Sequence, residues 1–207
     1  MASIARSPFA HRLLPSNNPR ELEGVLIYDF SPVGRTGFKG TGTTDWLASK
    51  VSALPDRPNK ATILSDGSVI GRLGKEEYLI LNGRHSTSDL CSELDSSWIS
   101  QSSNGDVRIG YPLPRSDSHS WLFLDGDYVP EMMAKICGVD LRDKSFPPGE
   151  IAQTIVARVG AILIREIGNA SKGIHLLTDF ASAEYIWEVL DDAASEFGGG
   201  FIPAGGK

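Results

Sequence analysis

The sequence predicts an α+β fold in which antiparallel sheets carry helices packed on one face. Short β-branched stretches occur in groups, and single amphipathic segments separate the groups. A doubly wound parallel sheet would instead alternate strand and helix strictly. The 207 residues suffice for one sizeable core or for two small lobes. With 41% hydrophobic and 22% charged residues, the composition argues against intrinsic disorder and against a disulfide scaffold.

The N-terminal residues 1–21 are predicted to form an extended arm. Three prolines in the arm surround a Ser-Asn-Asn sequence, which favours turns over a helix. The main domain is expected over residues 22–198 and begins with a strand at 22–28. The glycine-rich segment 34–42 is predicted to be a flexible surface loop or an interface element.

This glycine-rich segment does not meet the requirements of a phosphate-binding loop. A P-loop needs a glycine before its lysine and a serine or threonine after it, so that amides and the lysine hold phosphate oxygens. Here Phe38 precedes Lys39 and Gly40 follows it. The dinucleotide-binding spacing fails as well, because Asp45 stands where the third glycine belongs. No cofactor-binding residue is assigned in this chain.

Two helices are predicted in the first half of the chain. The apolar face of the first is formed by Leu47, Val51 and Leu54. Thr44 is its predicted N-terminal cap. The apolar face of the second is formed by Leu90, Cys91, Leu94 and Trp98.

Between these helices, strands are predicted at residues 61–64, 69–73 and 78–81. Asp66-Gly67 is a favourable hairpin turn between the first two strands. The polar connector 102–106 follows the second helix. It marks the boundary if the chain forms two lobes.

The second half is predicted to repeat this arrangement. After a strand at 121–124, Asp127 is expected to cap a helix. The apolar residues of that helix are Met132, Met133, Ile136 and Cys137. Residues 151–164 are predicted to form one or two strands, and 174–177 another. The last helix has the clearest apolar stripe, formed by Ile186, Val189, Leu190, Ala193 and Phe197. Residues 199–207 are a glycine-rich tail.

Charge and composition exclude several classes of function. A formal net charge of −6 gives no basic footprint for nucleic acid or for an anionic membrane surface. The longest apolar run, 159–164, is too short to cross a bilayer, and no block resembles a signal peptide. Cys91 and Cys137 form neither a disulfide framework nor a zinc site, which fits a reducing compartment. We therefore expect a cytoplasmic protein.

The histidines do not assemble into a recognisable catalytic or metal site. His11, His85, His119 and His175 include no pair three or four residues apart, so none forms a helical metal pair. His119 lies beside Ser118, which leaves a nucleophile-and-base arrangement open. A strand-edge histidine bonded to backbone or to a partner is favoured. No catalytic residue and no metal ligand is assigned.

Several short motifs occur in a fixed order along nearly the whole chain. They are ARSPFAH from Ala5, IGRLGKEEYLIL from Ile70, MAKICGVDLR from Met133, FPPG from Phe146, AQT from Ala152, ASAEYIW from Ala181 and EFG from Glu196. Together they resemble the gamma subunit family of heterotetrameric sarcosine oxidase. Residues 31–42 and 116–124 depart from that family, which leaves the substrate of the complex open.

The resemblance implies an α+β fold related to the folate-binding domain of aminomethyltransferases. It also implies a heterotetrameric flavoenzyme that demethylates sarcosine or a related N-methyl amino acid, giving the parent amino acid and formaldehyde or methylene-tetrahydrofolate. FAD, FMN, NAD, tetrahydrofolate and zinc are then expected in the partner subunits, and no cofactor in this chain. Its role would be structural, with alpha, beta and delta subunits as partners and alpha the most direct.

An alternative is a stand-alone folate-dependent aminomethyl transferase. Such an enzyme would need a carboxylate near the pterin or the amine, and Asp125, Asp127 and Asp140 are nearest in character. In the subunit interpretation, the interface is expected to use the arm, the segment 34–42 and the tail, because little else would order them.

Overall fold

The structure, a computed structural model, describes residues 6–13, 22–83, 86, 89–103, 110–168 and 173–203. Its helices and strands are, in chain order, β1 (Leu26–Asp29), β2 (Arg35–Lys39), α1 (Thr43–Ala48), β3 (Lys60–Ile63), β4 (Val69–Gly74), β5 (Glu77–Leu81), α2 (Leu90–Ser103), β6 (Tyr111–Pro112), β7 (His119–Asp125), α3 (Val129–Met133), β8 (Ile151–Val156), β9 (Val159–Arg165), β10 (Ile174–Asp179), α4 (Ala183–Ser195) and β11 (Gly200–Phe201). The α+β fold is confirmed. No helix in these described ranges is long and apolar enough to cross a membrane.

The chain forms two compact units. Among the described residues, the first unit comprises 33–117, and the second comprises 6–32 together with 118–203. The sequence places a boundary near 102–106, whereas the chain leaves the first unit only after Asp117. The reason is β6, whose Pro112 pairs with Phe38 of β2 and so keeps the chain in the first unit beyond the polar connector.

The first unit contains a five-stranded sheet of order β3-β4-β5-β2-β6, antiparallel throughout. The three strands predicted between the helices are confirmed, and Gly67 forms the hairpin turn with a φ of 83°. The Asp66 carboxylate accepts a hydrogen bond from the Ser68 amide at 2.9 Å, as expected of such a turn. The core of this unit is formed by Phe38, Trp46, Leu47, Ile70, Tyr78, Ile80, Cys91, Leu94 and Trp98.

The loop prediction for residues 34–42 is wrong, because this segment contains β2. Arg35 to Phe38 are buried, and β2 pairs with β5 on one side and β6 on the other. A Cβ atom on Gly37 would lie 2.7 Å from the Tyr78 carbonyl oxygen. Glycine is therefore needed here so that two strands can approach closely. In the sequence alone, a glycine placed for this reason looks the same as a glycine in a loop.

The N-terminal cap predicted for the first helix is also wrong. α1 begins after Gly42, which has a φ of 87° and provides no side-chain cap. The Thr44 amide donates instead to the Glu76 carboxylate at 2.9 Å. The Glu76 carboxylate thus accepts a hydrogen bond from an amide at the start of the helix, the role predicted for a capping side chain.

The second unit contains a six-stranded sheet of order β11-β1-β7-β10-β9-β8. All pairs are antiparallel except β1 with β11. Residues 151–164 form two strands, joined by a two-residue turn at Ala157-Arg158. α3 and α4 contribute to the core of this unit, with Met132, Met133, Ile186 and Leu190 buried among the strand residues Ile27, Leu122, Leu163 and Leu176.

The helix predicted after Asp127 is shorter than expected. α3 ends at Met133, its cap position is Tyr128, and no side chain caps it. Cys137 is buried as predicted, but it lies in a β-bridge with Val156 rather than on a helix. Asp127 is therefore not the cap.

The described parts of the arm and the tail, residues 6–13 and 199–203, pack within the second unit, contrary to the expectation that only a partner would order these segments. Phe9 is fully buried, and Phe201 of β11 stacks on Trp187 of α4 at 3.5 Å between ring centroids. Arg12 forms ion pairs with Glu184 and with a second carboxylate of α4. The rest of the arm, residues 1–5 and 14–21, and the last residues, 204–207, lie outside the described residues.

Candidate functional site

Residues 134–149, in the segment between α3 and β8, contribute to the lining of three cavities on the second unit. Arg165, the last residue of β9, holds this connecting segment in place. Its side chain is buried, and its Nε atom donates to the Phe146 carbonyl at 2.9 Å. A second hydrogen bond reaches the Leu141 carbonyl, and Asp143 lies 3.6 Å from the guanidinium. Burial lowers the pKa of Arg165, and Asp143 opposes that effect.

A local ion pair closes the exposed part of the connecting segment. The Arg142 guanidinium donates to both oxygens of Asp140, at 2.8 Å and 2.7 Å. Ser145 Oγ donates to the same carboxylate at 2.8 Å. These hydrogen bonds hold the pKa of Asp140 well below its usual range, and Arg142 contributes more than Ser145. Asp140 therefore serves as the acceptor that shapes this turn.

We expect the free energy of unfolding of Asp140→Asn to decrease less steeply than that of the wild type as the pH is lowered. A carboxylate whose pKa is depressed in the folded state stabilises that state above its unfolded pKa of about 3.9, and the stabilisation is lost as the pH falls toward the folded pKa. Urea unfolding measured between neutral pH and about pH 2 should show a shallower decline for the variant. Asp192→Asn, at an exposed position of α4, is the control and should retain the wild-type slope.

A small cavity of about 170 Å³ lies beside this segment. Its lining includes Arg142 and Arg165 together with Asp127 and Asp143. The two guanidinium groups are balanced by two carboxylates, and both arginines already bind acceptors of the chain. The cavity therefore offers no net charge for an anionic ligand.

A buried polar line runs from β7 through β10. The Trp121 indole Nε1 donates to His175 Nδ1 at 3.1 Å, and His175 Nε2 lies 2.5 Å from the Glu166 carboxylate. An indole nitrogen can only donate, so Nδ1 is the acceptor and Nε2 carries the proton that faces Glu166. The structural role predicted for His175 fits this arrangement, in which its imidazole connects a core tryptophan to a carboxylate.

The two serines beside His119 have different surroundings. His119 is the first residue of β7, and its Nδ1 lies 2.8 Å from Ser118 Oγ. Ser120, on the alternate face of the strand, is buried and bonds Thr178 Oγ1 at 2.9 Å. The two serines are thus separated, and the Ser118–His119 contact is exposed. His85 lies outside the described residues.

Within the described ranges, no group of three or more His, Cys, Asp or Glu side chains could hold a metal ion. Burial raises the pKa of the Cys91 thiol, with nearby carboxylates adding to the effect. Cys91 is therefore an unreactive core residue, as its apolar helix face predicts. No sequence pattern singles out Arg165, because an arginine that ends an apolar run is indistinguishable from a solvent-facing strand terminus.

Two solved structures are similar in fold to this chain. A chain of the heterotetrameric sarcosine oxidase from Corynebacterium sp. U-96 matches with a TM-score of 0.72 and 22% identity, over 95% of this chain and 97% of that chain. The glycine cleavage system aminomethyltransferase T from Bartonella henselae matches with a TM-score of 0.60 and 9% identity, over 88% of this chain and 49% of that one. The fold predicted from the family resemblance is confirmed.

Curated relatives point the same way. An aminomethyltransferase from Saccharopolyspora erythraea is 26% identical over 141 residues, which is 68% of this chain and 35% of that protein. One from Acidobacterium capsulatum is 25% identical over 200 residues, or 88% of this chain and 49% of that protein. The chain thus spans half or less of the length of these relatives. No family model matches the sequence.

Proposed function

We propose that this chain is a structural, gamma-type subunit of a cytoplasmic heterotetrameric flavoenzyme that oxidatively demethylates sarcosine or a related N-methyl amino acid. One observation supports the proposal: the chain shares its fold with a chain of a heterotetrameric sarcosine oxidase, with 95% of this chain and 97% of that chain covered. Its match to an aminomethyltransferase structure covers only 49% of that protein.

The polar chemistry of the second unit supports a structural role. His175 and Glu166 bond each other inside the protein, Asp140 is held by Arg142, and Arg165 binds backbone carbonyls. Groups that a catalytic site would direct toward substrate instead stabilise the chain's own turns and strands. We therefore propose that FAD, FMN, NAD, tetrahydrofolate and zinc reside in the alpha, beta and delta partners, with alpha as the closest neighbour.

The test is isolation of the tagged chain from its own host under native conditions. We expect a yellow eluate with flavin absorption and three further polypeptides in constant ratio to the tagged chain. Addition of sarcosine or another N-methyl amino acid should bleach the flavin band. A colourless eluate containing the tagged chain alone would contradict the proposal.

A second candidate function, a folate-dependent aminomethyl transferase acting alone, is favoured by the names of both curated relatives. Titrating the isolated chain with tetrahydrofolate, followed by calorimetry and by tryptophan fluorescence, separates the two. We expect no saturable binding. Tight stoichiometric binding would favour the transferase, and Asp125→Asn, Asp127→Asn and Asp140→Asn would then test the three carboxylates considered for it.

A further inference from the structure

A groove of about 440 Å³ opens on the surface of the second unit. Three elements form it: the start of the connecting segment, the turn between β8 and β9, and one side of α4. Its lining includes Lys135, Ile136, Gly138, Arg158, Tyr185 and Val189. We call it the basic groove.

The charged residues of the basic groove are positive, whereas the protein as a whole is negative. The charged side chains that the structure describes in its lining are those of Lys135 and Arg158, although the chain carries a formal net charge of −6. The Lys135 ammonium lies 2.5 Å from a Glu196 carboxylate oxygen. Among the described residues, Arg158 has no carboxylate oxygen within 4.0 Å. The groove therefore presents one uncompensated positive charge above an apolar lining.

Arg158 occupies a backbone position that disfavours it. Ala157 and Arg158 have φ values of 47° and 68°, so the hairpin turn uses two left-handed residues and neither is glycine. Turns of this kind favour Asn-Gly or Gly-Gly, because a Cβ atom is strained at positive φ. An exposed arginine here lowers the stability of the turn, which points to a role of its side chain outside the turn.

Apolar side chains surround the charge. Tyr185, in the groove, is 46% exposed, and Ile155, two residues before the turn, is 61% exposed. Ile155 belongs to β8, an edge strand with no charged residue or proline, which the connecting segment covers at Val156 through the bridge to Cys137. Soluble proteins usually protect such edges with charges, prolines or bulges. The surface next to Arg158 therefore has the composition of a contact surface, with aromatic, aliphatic and arginine side chains.

We propose that the basic groove binds a segment of a partner subunit that places an apolar side chain against Tyr185 and Val189 and a carboxylate against Arg158. This inference rests on the proposed function, in which the partners are the other subunits of the flavoenzyme. It adds the surface through which this chain joins them and the chemistry of the segment that occupies it.

Charge reversal in the tagged chain isolated from its host tests the groove. Arg158→Glu should lower the flavin recovered per tagged chain by about tenfold or more, because it opposes the partner's carboxylate. Lys144→Glu, the same charge change at an exposed position outside the groove, should match wild type. In hydrogen exchange, amides of residues 134–138, 155–158 and 185–189 should be protected in the complex relative to the free chain.

Arg158→Gly separates docking from folding. Glycine suits the positive φ, so this variant should raise the midpoint of thermal unfolding while lowering flavin recovery. If Arg158→Glu and Arg158→Gly recover as much flavin as wild type and the groove amides exchange equally in both states, the groove proposal is overturned and the proposed function stands. A wild-type chain that elutes without flavin overturns both.

Discussion

Phe9→Ala should lower the free energy of unfolding of the second unit by about 3–5 kcal/mol, the usual cost of deleting a buried aromatic side chain. Phe9 is fully buried, and its ring centroid lies 5.6 Å from that of Trp187 and 6.1 Å from that of Phe201. Its removal leaves a cavity bordered by α4 and β11. The two units have separate clusters of buried side chains, so they can unfold separately. Urea unfolding should therefore be combined with hydrogen exchange of the α4 amides, which reports on the second unit.

Two variants distinguish packing from local effects in the arm. Phe9→Leu retains most of the buried volume and should cost less than about 1.5 kcal/mol. His11→Ala removes an exposed contact with Glu184 and should change stability by about 0.5 kcal/mol or less. If Phe9→Ala unfolds like His11→Ala, the arm does not contribute to the core of the second unit.

The arm also shows where prediction from sequence succeeds and where it fails. Local signals identified α4 from its apolar stripe and the β3–β4 turn from Asp66-Gly67, because periodicity and turn chemistry lie within neighbouring residues. Phe9 carries no such signal. Its burial depends on Trp187 and Phe201, which are more than 170 residues away along the chain, and prolines around it indicate an extended arm.

The same reasoning applies to β2 and to the candidate sites. Gly37 looks like a loop residue until the Tyr78 carbonyl is placed beside it. The Trp121–His175–Glu166 line was not foreseen, because it joins two paired strands and the residue after β9. Contacts between distant segments, rather than local propensity, decide these features.

Arg165→Met should cost about 2–6 kcal/mol, since it leaves two buried carbonyl groups without a donor at about 1–3 kcal/mol each. Methionine keeps much of the aliphatic volume, so the loss reports the hydrogen bonds to Phe146 and Leu141 rather than a cavity. The charge is removed together with them, and Asp143, which is largely exposed, remains solvated. The expected result is loosening of the connecting segment, measured as faster exchange of its amides together with a lower urea midpoint.

Arg165→Lys is the matched control, because it retains the positive charge but replaces the planar fork with a single ammonium group. It should bind one of the two carbonyls and recover part of the stability lost in Arg165→Met. A result in which lysine restores full stability would mean that charge alone holds the segment. Equal exchange rates in wild type and Arg165→Met would contradict this prediction. They would show that the hydrogen bonds accepted by Asp140, rather than those donated by Arg165, order the connecting segment.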